Sequence, residues 1–265
     1  MTHDPTLFAG TAPFYRHYRE RYDPVFVEIL RRELELDGTG RLLDVGTGTG
    51  NVAVPLAPLY DEVVALDPDP AMLAEAAAEA AEAGVSTIIW VQATAEQLPL
   101  DLGRFRTVTF GQVMHWVDRP RTVATVHAML EDGGAAVVVN NRRPTRDDAD
   151  TVPWEEFEGI VRRYLGEERR AGSGVYQDPG PPEAAFVGSA FKPVMRVTQV
   201  TDHVRERTVD DVLGMLHSMS WAATRLFGDR LADFQRDVVH ALLAARPDGR
   251  FPYVSSDVEL LIYRR

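Results

Sequence analysis

The sequence predicts an α/β fold, a doubly wound and mostly parallel sheet. Three observations carry that expectation. Between Arg41 and Asn141, short β-branched runs alternate with helical stretches. The first run ends in the glycine-rich turn Asp44-Val45-Gly46-Thr47-Gly48-Thr49-Gly50. The second run ends in another acid, Asp67. Strands that alternate with helices imply βαβ units with right-handed crossovers.

The elements follow in order. Leu42 to Val45 reads as the first strand and Asn51 to Tyr60 as the helix after it. Glu62 to Leu66 is apolar and β-branched, as a strand buried on both faces should be. Asp69 suits an N-cap and Pro70 the first helical position. The alanine-rich run to Ala83 then favours a helix that Gly84 closes. Thr87 to Gln92 and Phe105 to Phe110 are the third and fourth strands. Arg119 to Leu130 is helical up to Gly133-Gly134, and Ala135 to Val139 is the fifth strand. Beyond Asn141 the pattern changes. Trp154 to Tyr164 reads as helix, Ala171 to Pro182 as a Gly/Pro-rich loop and Val194 to Val204 as a strand. Thr208 to His217 reads as a helix with Thr208 as N-cap and Asp211 three residues on. Asp229 to Ala245 is a further helix and Val258 to Tyr263 a last strand.

Composition narrows the function. The chain has 265 residues, 45% of them hydrophobic and 26% charged, an ordinary balance for a globular protein with a sizeable core. Acids outnumber bases 40 to 28, and the formal charge of -12 argues against nucleic acid as a partner. The pairs Arg31-Arg32, Arg142-Arg143, Arg162-Arg163 and Arg169-Arg170 read as solvated faces near acids. With no cysteine, thiolate catalysis, disulfides and Cys-based metal sites are excluded. Met1-Thr2-His3-Asp4 shows no basic region followed by an apolar stretch, and no run is long enough to span a bilayer. The expectation is a cytoplasmic enzyme with no membrane partner, a monomer or a homodimer.

The glycine turn defines the ligand. Glycines let the backbone bend sharply and let a ligand approach without meeting a Cβ. A dinucleotide site spaces its glycines G-x-G-x-x-G. Here the spacing is G-x-G-x-G, with Asp44 two residues before the first glycine. That carboxylate would oppose a pyrophosphate and suits an ammonium. No Gly-Lys-Ser/Thr follows, which excludes a P-loop. Asp67 stands where a ribose-binding acid is expected, about 20 residues beyond the turn, and a carboxylate can accept from both ribose hydroxyls. An amine beside a ribose, without phosphate, describes S-adenosylmethionine.

Leu42 to Gly50 resembles motif I of class I S-adenosylmethionine-dependent methyltransferases. Val64-Ala65-Leu66-Asp67 resembles their ribose-binding motif, and Ala93-Thr94-Ala95-Glu96-Gln97-Leu98-Pro99 the turn that brackets adenine. Gly111-Gln112-Val113-Met114-His115-Trp116 and Phe14-Tyr15-Arg16-His17-Tyr18-Arg19 resemble segments of a small-molecule subgroup that includes trans-aconitate-type methyltransferases. The motifs run from about residue 8 to 140. The resemblance implies a seven-stranded sheet, with the last strand antiparallel between strands five and six, and a helical lid. It implies that Gly46 and Gly48 touch the methionine end, Asp44 orients its ammonium and Asp67 holds the ribose. Ala95 binds adenine through its N–H, Gln112 lies near the sulfonium, and Tyr15 and Arg19 close over the cofactor, Arg19 facing its carboxylate. Pro68, Met72, Thr94 and Glu96 complete the cofactor-binding set. Where many relatives carry an acid, this chain has Thr94, which offers only a hydroxyl.

Methyl transfer is an in-line displacement for which the protein supplies proximity, orientation and a dry site. His115, after the fourth strand, is the candidate base, against a reading in which it only shapes the pocket. His17 and His217 are lesser alternatives. The fourth strand is not followed by Asn/Asp-Pro-Pro-aromatic, and Gly111 and Gln112 offer no carboxylate for magnesium, so no metal is expected. The division anticipated is a lid segment 1–34, a cofactor-binding core 35–141, and lid helices with the final strands in 142–265. Segments 1–34, 141–190 and 205–250 should lie over the carboxyl edge of the sheet. Their Trp154, Tyr164, Tyr176, Met215, Met219, Trp221 and Phe227 either line an apolar acceptor pocket or form the lid's own core. Met215 and Met219 share a face only if their helix continues through Ser218. The function expected is O-methylation of a small molecule with release of S-adenosylhomocysteine. The alternatives are N- or C-methylation, a non-methylating reaction such as cyclisation, and a non-catalytic cofactor-binding protein.

Overall fold

Leu42 and Leu43 are adjacent and fully buried, yet they pack into different cores. Successive side chains of a strand point to opposite faces, so a strand apolar at both positions belongs to a sheet covered on both sides. The computed structural model describes residues 4, 6–144, 150–172 and 174–265. Met1–His3, weighed above for a leader, lie outside the described residues.

The chain opens with helices α1 (Ala12–Tyr18) and α2 (Val25–Glu33). The alternating region follows as β1 (Arg41–Val45), α3 (Ala53–Leu56), β2 (Glu62–Asp67), α4 (Pro70–Glu82), β3 (Ile88–Gln92), β4 (Phe105–Gly111), α5 (Arg119–Met129) and β5 (Leu130–Arg142). Then come α6 (Trp154–Leu165), a two-residue ribbon of β6 (Arg170–Ala171) and β7 (Gly174–Val175), β8 (Lys192–Gln199) and β9 (Val204–Thr208). The last elements are α7 (Val209–His217), α8 (Leu231–Ala245), β10 (Arg250–Val254) and β11 (Asp257–Arg264).

Seven strands form one sheet in the order β3-β2-β1-β4-β5-β11-β8. β1 to β5 run parallel, and β11 lies antiparallel between β5 and β8. This is the architecture the sequence predicts. One face, with Leu43, Val64, Val108 and Val138, packs under α5 and the aromatic pair Phe186–Phe191. The other face, with Leu42, Val63, Val137 and Leu260, packs under α2 and α3. A third core joins α6, α7 and α8 to Phe251 of β10. Strand order reverses between β1 and β4, and in such sheets the crevice at the carboxyl ends of these strands receives the ligand.

Local chemistry explains the element ends. Asp69 caps α4 by accepting the Ala71 N–H at 2.8 Å, and Gly84 follows with φ +70°. Thr208 and Asp211 form a reciprocal capping box at α7. The helix expected over 51–60 is shorter. Pro55 and Pro58 remove amide donors, so a four-residue α3 gives way to a 3-10 turn at 57–59. The single strand expected over 194–204 is two strands in different sheets. Thr201 accounts for the break: its N–H donates to Asp257 Oδ1 at 2.9 Å and its hydroxyl to the Ser255 carbonyl at 2.9 Å, turning the chain out of the large sheet. β9 then pairs with β10, a strand the periodicity did not disclose. The 171–182 loop contains the β6–β7 ribbon, and its distal part is clasped by Arg119, which donates to the Pro179, Gly180 and Pro181 carbonyls.

The basic pairs are mostly solvated, as with Arg31 on Glu28 and Arg162 near Glu158. Arg142 differs, because it pairs with the buried Glu259 at 2.9 Å. α1 is tied to α4 by Arg16, which meets Glu75, Glu79 and Glu82, while neighbouring Arg21 also pairs with Glu79. Among the described residues, no helix is long and apolar enough to cross a membrane.

Candidate active site

Glycine at 46 is a steric requirement. Its φ is +68°, and a Cβ there would come within 2.3 Å of Val113 Cγ2. Gly48 also has positive φ, +56°, but faces open space. The turn therefore packs tightly against the segment after β4 at Gly46 and leaves room above Gly48. The Gly48 N–H points to Asp67 Oδ2 at 2.9 Å, and the Asp69 N–H to Asp67 Oδ1 at 2.9 Å. These bonds stiffen Asp67 at the end of β2 and leave each oxygen a lone pair for a ligand. Asp67 is 9% exposed, and burial raises its pKa to about 6 against the pull of its two amide donors.

Asp44 sits deeper, 1% exposed, beside Thr109 of β4. The Thr109 hydroxyl donates to Asp44 Oδ1 at 2.7 Å, while Asp44 Oδ2 is buried with no hydrogen-bond partner. Burial pushes this carboxyl up to about 6 despite the Thr109 bond. A buried carboxylate oxygen without a donor is costly and calls for a cationic or hydrogen-bonding ligand. Arg19, just past α1, is its counterpart. Its Nε is buried without a partner, and its guanidinium lies 5.1 Å from the Tyr15 ring centre.

A cleft of about 810 Å³ lies over this turn. Tyr15, Gly46, Gly48, Asp67, Pro68, Met72, Thr94, Ala95, Glu96 and Gln112 all line it, as do Leu7, Phe8, Val113 and Trp116. Asp44 and Arg19 are not among its lining residues. Thr94 shapes the adjacent turn, since its N–H donates to Gln97 Oε1 at 2.7 Å in a capping box. Ala95 opens that 3-10 turn, so its N–H has no acceptor within the turn. Glu96 Oε1 accepts the Asp118 N–H at 2.9 Å and so fixes the loop that carries Trp116. Gln112 adopts φ +52°, and its Nε2 donates to the Asn141 carbonyl at 3.3 Å.

His115 does not line this cleft. It borders a second, more polar chamber that shares Gln112 with the first. Burial, helped by Arg119, Arg169 and Arg19, lowers its pKa to about 4, so the imidazole is neutral at physiological pH. His217 is a core residue. Its Nδ1 is 3.1 Å from the Ala222 carbonyl and its Nε2 3.1 Å from Gln235 Nε2. His17 is exposed.

Of the two readings offered for these aromatic and methionine residues, the core fits most of them. Trp154, Tyr164, Met215, Met219, Trp221 and Phe227 belong to the core of α6, α7 and α8 or pack against it. α7 stops at His217, and Met219 follows in a turn. Tyr176 alone of that set faces a chamber by the site, its ring 5.6 Å from that of Trp116. Trp116 lines the cleft, and Phe8 rests edge-on against it at 5.6 Å. Their one sequence signal is the aromatic character of residues flanking the two motifs. Among the described residues, no three His, Asp or Glu side chains converge as metal ligands.

Comparison with known proteins agrees with this geometry. Residues 42–134 match a family model described as a methyltransferase domain. The chain is 32% identical over 139 residues to an uncharacterised methyltransferase of Mycobacterium tuberculosis, covering 52% of this chain and 54% of that one. It is 33% identical over 120 residues to a ubiquinone/menaquinone biosynthesis C-methyltransferase of a Geobacter species, covering 43% and 51%. The chain thus spans about half the length of the relatives it matches. Among solved structures, the YcgJ protein of Bacillus subtilis superposes with a TM-score of 0.51 at 20% identity over 90% of this chain and 97% of that one. A Bacillus halodurans protein gives 0.54 at 20% identity over the same shares. These two likenesses speak to the fold. The nearness to the trans-aconitate-type subgroup is not specifically supported, but the broader assignment stands: residues 42–134 carry a class I S-adenosylmethionine-dependent methyltransferase domain.

Proposed function

We propose that this protein transfers the methyl group of S-adenosylmethionine to an oxygen atom of a small molecule, without a metal, and releases S-adenosylhomocysteine. The observation that carries the reading is the pairing of two buried, unpartnered groups of opposite charge with the glycine turn. Asp44 Oδ2 and Arg19 Nε lack hydrogen-bond partners among the described residues, and an aminoacyl group offers an ammonium to the first and a carboxylate to the second. Asp67 stands beside them with spare lone pairs for ribose hydroxyls. The bound cofactor supplies an electrophilic methyl on a sulfonium.

The chain's own residues divide the work in this reading. Gly46 and Gly48 let the backbone approach the methionine moiety. Ala95 offers its N–H to adenine, with Pro68, Met72, Thr94 and Glu96 around it. Tyr15, Phe8 and Trp116 exclude water above the cleft. Gln112 borders the place where the methyl is presented. His115 is neutral and accepts a proton, but a base with a pKa near 4 is weak. It suits an acceptor hydroxyl that is already acidic. In the same reading, residues 1–34 and the helices of 142–265 act as a lid over the core 35–141.

The similarity to a quinone C-methyltransferase favours a second reading, methylation of ring carbon activated by a hydroxyl. The test begins with calorimetry of the purified chain with S-adenosylhomocysteine and with NADH. Methyl-labelled cofactor is then incubated with a small-molecule extract, and NMR of the product identifies the methylated atom. Binding of S-adenosylhomocysteine and label on oxygen are expected. Binding of NADH in its place overturns the reading, and label on carbon selects the second one.

A further inference from the structure

The second chamber, about 860 Å³ and open to solvent, lies beyond Gln112, which borders both spaces. Four features describe what it would hold. His115 faces this chamber and not the cofactor cleft. Asn141, in its wall, has a buried Oδ1 without a partner. The amide orientation is set by Nδ2, which donates to the Glu20 carbonyl at 3.4 Å, so the open atom is an acceptor that calls for a donor on the ligand. Arg119, also in the wall, gives its hydrogen bonds to the Met114, Pro179, Gly180 and Pro181 carbonyls and pairs with no carboxylate among the described residues.

The charges do not cancel at the His115 end. At the far end, Arg142 and Arg196 are matched by Glu259 and Glu183. Nearest His115 in the wall are Arg119, which has no carboxylate partner among the described residues, and Asp178, which accepts the Gly180 N–H at 2.9 Å, with Arg169 and Arg19 acting on His115 from outside the wall. Arg169 is not itself in the wall: it adjoins the chamber through Tyr176, on which it stacks at 4.6 Å, lies 5.6 Å from the Trp221 ring, and has no ion pair among the described residues. If Arg19 serves the cofactor carboxylate, Arg119 and Arg169 remain for something else.

We infer that this chamber is the acceptor site, and that its occupant is a small organic acid that also carries a hydroxyl or amino donor. The anionic end lies toward Arg119 and Arg169, and the donor reaches Asn141. This places the acceptor site in a polar chamber between β4, β5 and the clasped 178–182 loop, outside the aromatic core of the lid. The inference rests on the function proposed above, because Gln112 must adjoin the methyl.

The test uses the full chain saturated with S-adenosylhomocysteine, whose binding is measured first. Failure of that step counts against the proposed function and not against the chamber. Two isosteric probes, 4-hydroxybenzoate and 4-hydroxybenzamide, are then titrated by ligand-observed NMR at low salt. The acid should bind about fivefold more tightly than the amide, the effect of uncompensated charge in a partly screened site. Arg169→Gln should narrow that ratio toward one. The Arg169 side chain is exposed and makes only ring contacts among the described residues, so its replacement should spare the fold. Asn141→Ala should weaken both probes about equally, with S-adenosylhomocysteine affinity unchanged. Equal affinity for acid and amide, indifference of both probes to Asn141→Ala, or no binding of either probe to the loaded chain would each overturn the inference.

Discussion

Asp44→Asn should make the protein more stable and a poorer binder at once. Asp44 ionises near pH 6 in the fold and near 3.8 in the unfolded chain. A carboxyl raised in this way costs stability wherever it is charged in both states. The cost is complete above pH 6, about 3 kcal/mol, and vanishes as pH falls through 6 toward 3.8. Asparagine removes the charge and keeps an oxygen for the Thr109 hydroxyl, but it puts an amide N–H₂ where Oδ2 had no partner. That unmade donor offsets about 1–2 kcal/mol, which leaves a net gain of about 1–2 kcal/mol at neutral pH. Urea denaturation at pH 7.5 and pH 4.5 would measure it, with the variant ahead at the higher pH and the gap closing or reversing at the lower. Calorimetry of the same proteins should show affinity for S-adenosylhomocysteine reduced about 10- to 100-fold, as one charge-assisted hydrogen bond of about 1.5–3 kcal/mol is lost. A variant less stable at pH 7.5 that binds as well as the parent would refute the argument. The carboxylate would then be structural, and its open oxygen would carry no message about a ligand.

Further outcomes follow from the same geometry. Gly46→Ala combines positive φ with a 2.3 Å approach to Val113 and should cost about 2–4 kcal/mol in thermal unfolding, while Gly48→Ala, strained but unobstructed, should cost about 1 kcal/mol. Equal costs would contradict the close packing of that turn. Affinity for S-adenosylhomocysteine should fall as pH drops below about 6, because Asp44 and Asp67, both raised in the free protein, must lose protons to receive the ligand. Proton release seen by calorimetry in buffers of differing ionisation enthalpy checks this, and a flat profile from pH 7.5 to 5 speaks against it. Gly214→Ala should destabilise the protein although it lies within α7, where alanine ordinarily gains about 0.5–1 kcal/mol, since the new Cβ would meet the Tyr18 ring at 2.3 Å. A raised melting temperature would show that α1 and α7 separate easily.

The core and its cofactor turn were legible because their signals are local. β1, the turn and β2 announce themselves through apolar runs, three glycines and an acid at each strand end. The Asp69-Pro70 cap and the Thr208–Asp211 box are also readable over a few residues. What stayed hidden depends on distant partners. The break at Thr201 is made by Ser255 and Asp257, more than fifty residues away. An amphipathic helix shows that one face is buried but not whether it meets a neighbouring helix or a ligand, so both pocket and core stayed open for Met215 and Phe227. They are core. His115 is singled out by its place after the fourth strand, but its position on a chamber separate from the cofactor cleft follows from how the 178–182 loop folds against Arg119.

The antiparallel β11 has a bearing on how the molecule assembles. Val139 of β5 pairs with Leu260 of β11, so the ribosome makes everything from α6 to β10 between two neighbouring strands of one sheet. Until the later strand arrives, β5 keeps an open, strongly apolar flank. Such a fold closes late through a long-range contact, and topologies of that kind fold slowly and expose sticky edges on the way. Nascent chains halted before Asp257 should therefore be the ones that chaperones hold.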